Sequence, residues 1–96
     1  MQLHEIGRIV AKRRTELDLT QHQLAKLAGV SILTVNQLEI GATNDIGISK
    51  LIGLLGVLGI EITAHPRKDH NGLYKAVVSA NVSYKGELTE RLWPTR

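Results

Sequence analysis

Apolar positions in the first part of the chain recur at helical spacing. Leu3, Ile6, Val10 and Leu17, with Arg14 in step, fall three and four residues apart and predict a helix over 3–17, with Gly7 a mild weak point inside it. Asp18-Leu19-Thr20 interrupts the pattern. The Thr20 hydroxyl is placed to cap a second helix from Gln21 to Ala28, whose Leu24, Ala25 and Ala28 face inward. Gly29 ends that helix, and Ser31 caps a third that reaches about Glu39, with Val35 and Leu38 inward and Gly41 as its stop. After a polar loop over 42–46, Ile48, Leu51, Leu54, Leu55 and Leu58 predict a fourth helix. Its Gly53, Gly56 and Gly59 lower the intrinsic propensity, so packing must hold it. From there the period changes to two. Ile60-Glu61-Ile62-Thr63-Ala64 reads as a half-buried strand that Pro66 is expected to stop, and the turn-rich, charged stretch 65–72 as a linker. Beyond it Tyr74, Ala76 and Val78 alternate, which suits a strand or hairpin, a short helix, or a segment without order of its own. The expected division is therefore 1–64, 65–72 and a tail over 73–96.

Composition narrows the class. Ninety-six residues allow one compact domain and a short extra element. Phe is absent, and Tyr74, Tyr84 and Trp93 all sit in the last quarter, so the helices must close an aliphatic core. Without cysteine, disulfides and thiolate metal sites are excluded. No apolar run approaches the roughly 20 residues of a membrane span, and the first residues lack the pattern of a secretory signal; a cytoplasmic protein is expected. His4, His22, His65 and His70 lack metal-ligand spacing, no glycine loop suits a phosphate, and the carboxylates are scattered. Neither an enzyme nor a cofactor is expected. The net charge of +3 is mild. Its placement says more, since Arg8, Lys12, Arg13 and Arg14 crowd the first helix, either as a solvated face or as part of a basic surface.

The informative segment is Gln21 to Ile40, QHQLAKLAGVSILTVNQLEI. Two short helices crossing closely need a small residue at the fifth position, a residue tolerant of positive φ at the ninth, and apolar residues at the fourth, eighth, tenth, fifteenth and eighteenth. Ala25, Gly29, and Leu24, Ala28, Val30, Val35 and Leu38 fill these places without insertion. With Val35 and Leu38 buried, Ile32, Leu33, Asn36 and Gln37 lie on the opposite face of the third helix.

Over 3–58 the chain resembles the XRE/Cro family of helix-turn-helix repressors. It carries Thr20-Gln21, Gln23-Leu24-Ala25, Ala28-Gly29-Val30-Ser31 and Gln37-Leu38-Glu39, and has Arg14 and Glu39 where the family pairs an Arg with a Glu. The resemblance implies a mainly α, five-helix, lambda-repressor-like fold with its third helix in the major groove of double-stranded DNA. Ile32, Leu33, Asn36 and Gln37 are then the base-contact candidates. Gln37 can pair with adenine and Ile32 or Leu33 can pack on a thymine methyl, the alternative being that either packs on the protein. Gln21, Ser31, Thr34, Arg13 and Asn44 are the phosphate-contact candidates. Such domains read palindromic operators as homodimers, and an isolated strand such as Ile60, Ile62 and Ala64 gains a partner by pairing across a dimer. The string over 51–64 is similar to HipB-type antitoxins, which implies a HipA-like kinase toxin as a further partner. Trp93 would anchor such a partner or cover the dimer's own core.

Overall fold

The computed structural model describes residues 1–68 and 70–82. Four helices, α1 (Leu3–Glu16), α2 (Gln21–Ala28), α3 (Ile32–Glu39) and α4 (Ile48–Leu58), precede two strands, β1 (Ile60–Lys68) and β2 (Tyr74–Val82). The helix ends follow local chemistry. At α2 the Thr20 hydroxyl accepts from the Gln23 N–H at 3.0 Å, while Gln23 Oε1 accepts from the Thr20 N–H at 2.9 Å, a reciprocal cap. Ser31 Oγ accepts from the Thr34 N–H at 3.1 Å to start α3. Two tight closures make the turns. Past α2, Gly29 takes φ 72° and the Val30 N–H reaches back to Ala25 O at 3.0 Å. Past α1, Asp18 takes φ 57°, a conformation rare for a residue with a side chain, and the Leu19 N–H reaches Arg14 O at 3.1 Å.

The core is aliphatic throughout. Val10, Leu24, Val35, Leu38, Leu54 and Leu58 are fully buried, and Ile6, Leu17, Leu19, Ala25, Leu51, Leu55 and Ile60 close the cluster. Each helix presents its apolar stripe inward, as the three- and four-residue spacing requires. α1 and α3 approach so closely that a Cβ built on Gly7 would stand 2.0 Å from the Leu38 carbonyl oxygen. Gly7 is therefore a packing requirement of the α1–α3 crossing and not the weak point its helix propensity suggests.

Three expectations need correction. Four helices, not five, occupy the described residues; after Gly59, at φ 67°, the chain enters β1 instead of a fifth helix. Pro66 does not stop β1, which continues to Lys68 through the stretch read as a linker. In a two-stranded sheet every strand has one open edge, and a residue without an N–H is tolerated there. Finally, β1 finds its partner within the chain. It pairs antiparallel with β2, from Ile60 opposite Val82 to Lys68 opposite Tyr74, with Gly72 at φ 81° in the connecting turn. Ile60, Ile62 and Ala80 pack on or against the helical core, whereas 63–68 are exposed. Nine-residue strands are about 30 Å long, so the hairpin extends well past its base.

Candidate nucleic-acid interface

α3 is braced from behind and open in front. Behind it, Arg14 on α1 donates from Nε to Glu39 Oε2 at 2.7 Å and from Nη2 to Glu39 Oε1 at 3.0 Å, a two-pronged ion pair. Arg14 Nη1 also donates to Leu19 O at 2.8 Å, which fixes the turn before α2. Gln21, the first residue of α2, donates from Nε2 to Glu39 Oε1 at 3.0 Å. Asn36 Nδ2 donates to Gln21 Oε1 at 3.4 Å, a long bond. One carboxylate thus ties α1 and α2 to the end of α3, and with Val35 and Leu38 in the core this sets the pitch of α3 on the body.

In front, Ile32 is 48% and Leu33 60% exposed, and Gln37 is exposed one turn further on. Two large apolar side chains exposed side by side form a surface patch and not part of the core. Ile32 and Leu33 therefore do not pack into the protein core. Ser31 and Thr34 sit at the same end, their hydroxyls 2.9 Å apart, beside the first-turn N–H groups of α3. A helix N-terminus with hydroxyls and amides is suited to a phosphate oxygen.

Two phosphate candidates have partners within the chain. Arg13 is buried, 7% exposed, and donates from Nε to Leu58 O at 2.9 Å, with Nη1 3.7 Å from Glu16. It satisfies a terminal carbonyl of α4 and places a cation at that helix's negative end, a structural role. The Gln21 amide bonds to Glu39 and Asn36, which leaves one Nε2 hydrogen and the backbone N–H for an anion. Asn36 is half-buried at the margin of the face, bonded to Gln21. Asn44 is exposed in the α3–α4 loop, where Thr43 Oγ1 donates to Asp45 O at 2.7 Å and Asp45 Oδ1 accepts from the Gly47 N–H at 3.2 Å. Among the strand residues, Ile60 is buried, Ile62 partly buried and Ala64 exposed. Trp93 lies outside the described residues.

Sequence reasoning missed one cation. Thr34, Gln37, Thr43, Asp45, Ile46 and Lys50 line a shallow cleft between α3 and the start of α4. Lys50 is exposed at that rim, within the first turn of α4. The signal was present, because Lys50 is the one charged residue in a helix otherwise apolar but for Ser49. Among the described residues no group of His, Asp or Glu could hold a metal ion, and no helix is long and apolar enough to cross a membrane.

The family model HTH_3, Helix-turn-helix, matches residues 10–64, more than half of the chain. The chain belongs to the XRE-type helix-turn-helix family. It is a DNA-binding regulator of that type, and its matched span runs from within α1 through the first residues of β1. No curated protein matches the chain.

Proposed function

We propose that this XRE-type protein is a sequence-specific repressor acting as a homodimer on a palindromic operator, and that it is the autoregulating antitoxin of an operon encoding a HipA-like kinase. The observation that carries the DNA-reading part is the exposed Ile32, Leu33 and Gln37 face on a helix whose orientation is fixed by the Arg14–Glu39–Gln21 network. Gln37 pairs with an adenine edge in the major groove, and Ile32 and Leu33 pack on thymine methyls, so A/T-rich half-sites are expected. Ser31, Thr34, Asn44 and Lys50 ring this face and hold backbone phosphates. One recognition helix spans only a few base pairs, so two copies on half-sites about 34 Å apart supply the affinity. The antitoxin part rests on the run of α4 into a strand. A regulator without a toxin partner shares every other feature.

The test is selection of binding sites from a random duplex library, followed by fluorescence anisotropy of the selected site across salt concentrations. Gln37→Ala should lose discrimination at one position per half-site, by about 1–3 kcal/mol. Lys50→Ala should weaken all sequences alike and reduce the salt slope by about one per copy. Absence of any enriched site at low salt would overturn the reading in favour of a protein-binding module, which the apolar Ile32–Leu33 pair would then serve. Co-purification of a kinase encoded beside the gene decides the antitoxin part.

A further inference from the structure

We infer that the exposed stripe Ile48, Ile52 and Gly56 on α4 is where two copies of this chain meet; the inference rests on the dimer reading above and locates its interface. Ile48 is 70% and Ile52 61% exposed, and Gly56, one turn further along the same face, is also exposed. From Leu51 to Leu58 the helix carries no polar side chain at all. A helix that is apolar all round is a buried helix, yet this one is covered by its own chain on one side only.

Gly56 has no reason within the chain. Every other described glycine either takes positive φ or, like Gly7 and Gly53, lies against backbone of another helix. A Cβ on Gly56 would meet nothing within 4 Å, and its backbone is helical. Glycine inside a helix weakens it. A bare stretch of backbone beside a projecting isoleucine is what a close approach of another helix from outside requires.

Charge points to a second copy as the occupant. A self-contact brings each residue near its own equivalent, which suits a stripe free of charge. The body over 1–64 holds six basic and six acidic residues, so two bodies meet without net repulsion. A stable dimer buries about 800 Å² per partner; three side chains fall short of that, so the free dimer is weak and DNA completes its assembly.

Sedimentation equilibrium of the full chain over a wide concentration range tests this, with Ile52→Arg, Gly56→Ala and Ile40→Arg as variants. Ile40 is 67% exposed at the end of α3 and serves as an apolar control away from the stripe. The expected result is a dimer dissociating in the micromolar range, a dissociation constant raised roughly tenfold or more by Ile52→Arg, and little change for Ile40→Arg. Gly56→Ala should move two readouts in opposite directions, raising the melting temperature of the dilute monomer while weakening the dimer. A dimer indifferent to both α4 variants overturns this interface and leaves the dimer reading standing. A wild type that stays monomeric with and without operator overturns both. A monomer destabilised by Ile52→Arg shows that Ile52 already packs within its own chain, and overturns the inference.

Discussion

Gly7, Arg13 and Glu39 each decide something that their residue type alone does not announce. Gly7 lets α1 lie against the backbone of α3, and any side chain there would drive its Cβ into the Leu38 carbonyl. Because the obstacle is backbone, it cannot be relieved by turning a side chain. Gly7→Ala should therefore cost stability despite its better helix propensity, by about 3 kcal/mol at the upper end of overpacking effects. Urea denaturation checks this, and a stabilised variant would mean that the two helices are not in contact. Arg13 and Arg14 are neighbours with divergent tasks, one ending α4 and the other bracing α3. Their sequence positions place them about 100° apart around α1, which is enough to point them at different partners.

At the scale of elements, the pattern of the first 58 residues was legible almost residue by residue. The Thr20 and Ser31 caps, the turn at Gly29 and the spacing of Leu24, Val35 and Leu38 are local signals, and local signals can be read from a chain without its fold. The closeness of α1 to α3 was not legible, because Gly7 carries no mark of what lies opposite it. Nor was the burial of Arg13, since a basic cluster looks the same in sequence whether it faces solvent or a carbonyl. Pro66 misled because a proline stops a central strand but is tolerated on an open edge, and which it occupies depends on a pairing that lies ahead in the chain. The reciprocal Thr20–Gln23 cap gives a prediction at this scale. Thr20→Ala should lower stability by about 1 kcal/mol in thermal unfolding. Since the Arg14–Glu39–Gln21 network is untouched, the base preference of any selected operator should be retained. A change in preference would show that the start of α2, not α3 alone, reads sequence.

For the whole molecule, charge is unevenly placed. The helical body over 1–64 is balanced, whereas Arg67, Lys68 and Lys75 against Asp69 leave the hairpin stretch over 65–82 positive. DNA affinity of the body must then come from a few well-placed groups around α3 and not from a general field. This favours selectivity over tight nonspecific binding and makes the contribution of a second copy more important. The exposed Ser31, Asn44 and Lys50 and the half-buried Thr34 are compatible with that economy.

The open edge of β1 bears on how the chain behaves when concentrated. A bare strand edge is a template on which further chains can add without limit, and long flat edges seed fibrils. Pro66, seventh of the nine strand residues, has no N–H to donate, and Arg67 and Lys68 follow it with charge. Growth by strand addition is thereby opposed over the last third of the strand. Pro66→Thr would restore the donor and raise strand propensity. It should increase thioflavin fluorescence and light scattering on prolonged incubation while leaving the helical signal of the monomer unchanged. Equal solubility of the two proteins would assign the protection to the charges. The residue that looked like the end of a strand is better understood as a guard against one chain becoming many.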